Sequence, residues 1–243
     1  MKGRYLADIC CGAGKVGKAG RALGFAAHLF DKELGPAGDI LDAGVVRGLK
    51  HDILRDKILA AMLAPTCRSW SLPYNATKFA RSSEHPWGRP DLEESTAATV
   101  ADDNALMTSC LGIIHALQRR GVPWALEHPL GSRFWHTSEV AALLAQRGVR
   151  LVELDQCQYG TIWRKATRLL LGNCDDEDAE RLQLRCCARG KVCSRTCRPH
   201  QVLEGAGPGG VRWTRIAQVY PQRLARDLAY VLLGKVRCEL TGV

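Results

Sequence analysis

The amino-acid sequence predicts an α/β fold with a mainly parallel sheet and a small Cys-rich insertion near its end. Three observations predict it. Short apolar runs alternate with segments of helical period over residues 1–172, the pattern of βαβ units. A glycine-rich turn separates the first apolar run from the first helical segment. Residues 173–215 then lose the alternation and gather Cys, Arg, Gly and Pro. The 243 residues suffice for one domain with its own core. The expected division is a core over 1–172, an insertion over 173–215, and a helical segment over 216–243 that completes the core.

The elements follow in order. Arg4–Asp8 reads as a strand, then the Gly-rich turn leads into a helix ending near Leu23. Ala27–Asp31 is the next strand, Leu41–Arg55 a helix, and Ile58–Ala64 a buried strand stopped by Pro65. Residues 66–91, rich in Ser, Pro and Arg, read as loop. A helix fits Leu92–Arg120, a strand Pro123–Glu127, a helix Ser138–Arg147, and strands Arg150–Leu154 and Thr167–Gly172. The last helix is expected from about Gln218 to Leu233.

Composition narrows the function. The net charge is +9, from 34 basic and 25 acidic residues. Residues 1–180 are balanced, whereas residues 181–243 hold 12 basic and 3 acidic residues, so the whole excess sits at the C-terminal end. Such an end suits a polyanion and favours nucleic acid as partner. No apolar run approaches a membrane span, and the start of the chain has no signal-peptide architecture. The expectation is an intracellular protein, nuclear if eukaryotic, with no membrane and no obligate protein partner. Eleven cysteines in such a chain argue for reduced thiols, metal ligands or a nucleophile.

Three segments could carry chemistry. In Asp8-Ile9-Cys10-Cys11-Gly12-Ala13-Gly14-Lys15, glycines allow close approach of a ligand to the backbone beside a helix N-terminus. Gly12, Gly14 and Gly17 also satisfy the G-x-G-x-x-G dinucleotide pattern. Asp31 ends a strand where a carboxylate could accept ribose hydroxyls. Asp8 suits an amino or sulfonium cation and would repel a pyrophosphate, which favours S-adenosylmethionine over a nicotinamide cofactor. Cys67 follows a buried strand at the end where α/β sheets bind ligands, and Arg68 could favour its thiolate. Glu127 ends the next apolar strand on the same rim. A Cys nucleophile beside a carboxyl acid suits addition to an electron-poor ring.

With these residues in order, the chain resembles the DNA cytosine-5 methyltransferases. Asp8–Gly14 is similar to that family's first cofactor loop, Asp31 to its ribose-binding acid, and Gly38-Asp39-Ile40 to its adenine-side Gly-Asp-Ile. Pro65-Thr66-Cys67 resembles the Pro-Pro-Cys nucleophile loop, and Glu127-His128-Pro129 the Glu-Asn-Val/Pro segment. Tyr159–Arg168 parallels Tyr-Gly-x-Pro-Gln-x-Arg-x-Arg, and Ala217–Ala225 parallels the segment that completes the cofactor pocket. The resemblance is closest to compact, divergent members in mobile elements and viruses. It implies a Rossmann-like S-adenosylmethionine-dependent methyltransferase fold. Cys67, Glu127 and Lys165 are the implied catalytic residues. The implied cofactor contacts are Asp8, Cys10, Gly12 and Gly14 with Asp31, Asp39, Pro65 and Gln218. Thr66, His128, Lys165 and Thr167 depart from the family pattern.

The Cys/His cluster adds a possible zinc site. Cys187-x5-Cys193 and Cys193-x6-His200 could place two thiolates and an imidazole around the ion, with Cys197 or Cys174 as fourth ligand and Cys186 able to replace Cys187. Arg68, Arg164, Arg168, Arg195, Arg198 and Arg212 are the expected nucleic-acid contacts, with Trp70, Trp163 and Trp213 as candidate stacking surfaces. The resulting expectation is methylation of cytosine C5 in DNA. The alternatives are the same reaction on RNA and an inactive homologue that binds nucleic acid; a nicotinamide-dependent oxidoreductase rests on the glycine pattern alone.

Overall fold

The computed structural model describes residues 3–187 and 192–241; Met1, Lys2, part of the expected insertion and the last two residues lie outside the described residues. Six strands form one sheet: β1 (Tyr5–Ile9), β2 (Ala26–Phe30), β3 (Ile58–Leu63), β4 (Trp124–Pro129), β5 (Val149–Asp155) and β6 (Ala166–Gly172). Among the described residues the α-helices are α1 (Lys15–Ala22), α2 (Ala43–Leu54), α3 (Leu72–Lys78), α4 (Glu94–Arg119), α5 (Ser138–Leu144), α6 (Asp176–Glu180), α7 (Trp213–Ile216) and α8 (Gln222–Thr241). None is long and apolar enough to cross a membrane.

The spatial order is β2-β1-β3-β4-β6-β5. β2, β1, β3 and β4 are parallel to their neighbours, as expected, but β6 runs antiparallel to both β4 and β5. The sheet is therefore mixed. Only residues 156–165 join β5 to β6, too few for a crossover helix, so the chain turns back on itself. The architecture is α/β and compatible with a Rossmann-like fold.

Side chains alternate across the sheet with period two. Leu6 and Met62 pack with Val16 of α1 and Leu228 of α8 on one face. Tyr5, Ile9, Leu63 and Trp124 pack with Leu49 of α2 and Met107 of α4 on the other. β3 is buried at every position, which explains its uninterrupted apolar run. Strand order reverses at β1, flanked by β2 on one side and β3 on the other, and such a switch point opens a crevice outside the carboxyl ends of the strands.

Several bounds differ from expectation: β4 runs on to Pro129 rather than ending at Glu127, and the last helix runs on to Thr241 rather than ending near Leu233. The loop after β3 contains α3, capped by the Ser71 side chain and started by Pro73 in its first turn. α8 begins after Pro221, later than the expected Gln218, because a proline inside a helix removes a donor and clashes with the preceding turn. The insertion holds α6, α7 and two isolated bridges, Val192 with Pro199 and Ala206 with Arg212.

Candidate active site and metal centre

The turn after β1 is built from left-handed backbone: φ is 54° at Cys10, 49° at Gly12 and 62° at Gly14. The amide of Gly12 donates to Asp31 Oδ2 at 2.8 Å, and that of Glu33 donates to Asp31 Oδ1 at 3.0 Å. Asp31 thus ties the end of β2 to the glycine loop while each oxygen keeps a lone pair for a further donor. Asp39 joins the same rim because Gly38 lies against the Asp31 backbone, where an added Cβ would come within 2.6 Å of the carbonyl oxygen. A Cβ on Gly12 would meet open space. One on Gly14 would meet Leu29 at 2.8 Å, so Gly14 serves loop-to-strand packing rather than ligand clearance. The Cys10 thiol is directed at Cys110 in the core, which leaves only its backbone on the rim.

Asp8 is 2% exposed and sits on the α1/α8 face of β1. Its Oδ2 accepts the Gly17 amide at 2.7 Å. Burial raises its carboxyl to about 7, with the Asp31 charge adding to the rise against the opposing Gly17 hydrogen bond. Asp8 is therefore a buried acid that titrates close to neutral pH.

On the neighbouring strands, Leu63 at the end of β3 is paired with Leu126, so Glu127, still within β4, stands beside the loop that carries Cys67. Alternation puts Glu127 on the same face as Asp8. Glu127 is 7% exposed, and its Oε1 makes no hydrogen bond among the described residues. Lys165 Nζ stands 3.9 Å from that oxygen. Burial raises the Cys67 thiol, the Glu127 charge raises it further, and Lys165 opposes both. The cation that acts on the thiol is thus Lys165. Arg68, expected in that role, instead pairs with buried Asp103 at 2.9 Å, and Asp103 also accepts the Ser69 amide at 2.8 Å.

Tyr220 completes the rim and was not among the expected residues. Its hydroxyl is buried, faces Glu127, Asp8 and Cys67, and makes no hydrogen bond within standard geometry; burial drives its ionisation well above the ordinary tyrosine range. It precedes α8, inside the segment quoted for the cofactor pocket, where Gln218 was expected but is exposed. Pro65 is buried, and its carbonyl faces the ring of His128.

The sulfur cluster differs from the expected ligand set. Cys157, Cys186, Cys193 and His200 place one ligand atom each within 4.8 Å of one another. Cys187 and Cys197 are exposed, and Cys174 lies against the Trp124 and Gly172 carbonyls. Cys186 thus takes the place of Cys187. Cys157 was missed because it belongs to the β5–β6 connection, remote in sequence from the crowded cysteines, and no spacing signal joins it to them.

Four of the six expected nucleic-acid arginines are engaged within the chain. Arg68 pairs with Asp103, Arg164 with Asp155 at 3.0 Å, Arg168 with Glu153, and Arg195 donates to the Cys157 carbonyl at 2.6 Å. Arg198 and Arg212 are exposed, with no carboxylate partner among the described residues. Trp70 is fully buried under the Arg81 guanidinium, 3.5 Å from its ring centre, so it packs the core and cannot stack a base. Trp163 and Trp213 pack edge to face. Two concavities lie away from the rim, one between β2 and α2 and the other beside Cys193 and His200. The strand-end site is identified by its chemistry rather than by its depth.

Comparison with protein-family models finds no match to this chain, and comparison with curated proteins finds none either.

Proposed function

We propose that this chain is an S-adenosylmethionine-dependent methyltransferase that acts on cytosine C5 in DNA. The observation that carries the reading is the meeting of Cys67, Glu127 and Lys165 at one end of the sheet, where a buried Glu127 oxygen has the Lys165 ammonium at 3.9 Å and the Tyr220 hydroxyl as neighbours. No hydrogen bond within standard geometry fixes that oxygen, so it keeps acceptor capacity for a donor on a bound ligand. The exocyclic amine of a cytosine would donate to it, and N3, an acceptor, would share a proton carried by the carboxyl.

The cofactor also fits the residues present. Gly12 leaves an open cradle, Asp31 offers lone pairs to ribose hydroxyls, and Asp8 offers a buried acid to a cation. When bound, the cofactor supplies an electrophilic methyl group. The target base must leave the helical stack, because neither ring face is reachable within it. Cys67 then adds through sulfur to C6, and the proton it releases passes to the pair formed by Glu127 and N3. Sharing that proton removes the Glu127 charge that holds the thiol up, so engagement of the base and activation of the nucleophile are one event. Addition at C6 pushes the C5–C6 double-bond electrons onto C5, which makes that carbon nucleophilic toward the methyl group that a bound cofactor would supply. The C5 proton passes to solvent, the S–C6 bond breaks as the ring regains its double bond, and the departing Cys67 thiolate takes back the proton held between Glu127 and N3.

A 5-fluorocytosine substrate tests this directly, since fluorine cannot leave as a proton. With S-adenosylmethionine present, a denaturation-stable adduct through Cys67 is expected, absent in Cys67→Ala and strongly slowed in Glu127→Gln. Parallel DNA and RNA oligonucleotides decide the substrate class. Cofactor binding with neither methyl transfer nor adduct on either polymer would overturn the reading in favour of an inactive nucleic-acid-binding homologue.

A further inference from the structure

We propose that Cys157, Cys186, Cys193 and His200 hold one zinc ion, and that this ion fastens the insertion to the connection that ends at Lys165. The inference stands on the geometry of the insertion and does not rest on methyl transfer.

Three thiolates and one imidazole are a closed tetrahedral set of the kind that structural zinc takes. With Zn–S near 2.3 Å, tetrahedral ligand atoms lie about 3.8 Å apart. The Cys186 sulfur and His200 Nε2 are already 3.8 Å apart, and all four ligand atoms fall within 4.8 Å of one another. Zinc could enter with shifts of about 1 Å at most. An outer shell is in place as well: the Ser194 amide is 3.4 Å from the Cys186 sulfur, and the Gln158 amide nitrogen is 3.5 Å from that of Cys157. N–H groups directed at sulfur are the partners that metal-bound thiolates use.

Past Val192 the described part of the insertion has little apolar burial to hold its shape. Between Val192 and Arg212, Cys193 is the only buried residue among those described. The three clustered cysteines form a buried group separate from both faces of the sheet core. A segment with so little apolar burial needs a cross-link to stay folded.

Cys157 is the ligand with the largest consequence, because it belongs to the core rather than to the insertion. Around it, the insertion grips the 156–165 connection at two more points. Arg195 donates to the Cys157 carbonyl, and the Gln201 amide donates to the Ile162 carbonyl at 2.9 Å. The Gln156 amide closes the base of the loop on the Lys165 carbonyl at 3.3 Å. Lys165 itself has φ 26°, a left-handed conformation that a lysine keeps only when its surroundings impose it. Its ammonium is the group that stands beside Glu127. Zinc would therefore set the position of a rim residue from outside the rim.

The test uses the full chain, purified reduced. About one zinc per chain is expected, and cobalt substitution should give the thiolate-to-metal absorption of a tetrahedral site. Cys157→Ser and Cys193→Ser should lose the metal, whereas Cys187→Ser and Cys197→Ser should keep it. Should Cys157→Ser fail to fold, Cys157→His retains a ligand and should bind cobalt with an altered spectrum. Chelation should raise amide hydrogen exchange in residues 156–165 by about tenfold or more and leave β1 and β3 protected. Zinc-free wild type, full zinc in Cys157→Ser, a disulfide among the three cysteines, or metal removal without faster exchange at 156–165 would each overturn the proposal. None of these readouts depends on catalysis, so failure of the methyltransferase reading would leave them unaffected.

Discussion

Asp8 gives the most quantitative handle on the cofactor end of the site. Burial holds its carboxyl at about 7, against an ordinary 3.8 in the unfolded chain. A raised carboxyl means that the folded state binds the proton more tightly, so stability is fully present below pH 3.8 and is lost as pH rises towards 7. Replacing Asp8 with Asn keeps an oxygen for the Gly17 amide but removes the ionisation. Any constant effect of the replacement cancels when two pH values are compared. Between about pH 5 and about pH 8, the gap in unfolding free energy should widen in favour of Asp8→Asn by roughly 2–3 kcal/mol, at about 1.4 kcal/mol per pH unit over the range where only the unfolded side chain ionises. Urea unfolding at the two pH values measures it. Binding adds a second arm: a cationic ligand facing Asp8 selects the ionised form, so wild-type affinity for S-adenosylmethionine should climb up to tenfold per pH unit below 7. Asp8→Asn should flatten that climb. A constant stability gap across the range would refute the buried-acid reasoning; a flat wild-type affinity would remove Asp8 from the cofactor's cation.

The electrostatics at the nucleophile predict opposite effects from its two neighbours. At one fixed pH near neutrality, Glu127→Gln should speed alkylation of Cys67 by iodoacetamide and Lys165→Met should slow it, each by several-fold, because the first raises the thiol and the second lowers it. Equal rates in both variants would separate these residues from the thiol. Arg81 is 2% exposed, donates to Ser69 Oγ at 2.7 Å and Asn104 Oδ1 at 2.8 Å, and covers Trp70. Arg81→Ala should cost about 3 kcal/mol in urea unfolding through the buried acceptors it leaves behind; a loss below about 1 kcal/mol would show that the loop after β3 does not depend on it.

Elements with a strong period were legible in the sequence, and the site was legible where it depends on strand ends. β1, β3 and β4 carry short apolar runs bounded by turn residues, and Cys10 to Gly14 past β1, Cys67 past β3 and Glu127 near the end of β4 lie on one rim for topological reasons. What stayed hidden depends on pairing across long sequence separation. The reversal of β6 follows from the shortness of the connection before it, a length that propensity does not weigh. Arg68 looked like a partner for Cys67 because the two are adjacent in sequence, yet a guanidinium reaches farther along the chain, to Asp103 on α4. Cys157 joins the sulfur cluster only because β5 ends beneath the insertion. Tyr220 carried no signal of its own, since one tyrosine before a Pro reads as a helix boundary.

Two of the positions that depart from the resembled family, Thr66 and His128, brace the loop that carries Cys67. Thr66 stands where a second proline would stiffen the nucleophile loop, but its hydroxyl accepts the Arg68 amide at 3.4 Å, and Asp103 fixes the next amide along. His128 stands where an asparagine is usual. Its Nδ1 lies 2.8 Å from Ser132 Oγ and its ring faces the Pro65 carbonyl, so it braces β4 against the same loop. Burial first, and Lys165 second, push its ionisation down to about 3, which keeps the ring neutral at physiological pH. That neutrality matters for the chemistry. A charged imidazole here would repel the Lys165 ammonium, whereas a neutral one leaves Lys165 beside Glu127. The hydrogen-bonded brace thus replaces a rigid ring without adding charge, and the Glu127 oxygen stays open to the amine of an incoming base.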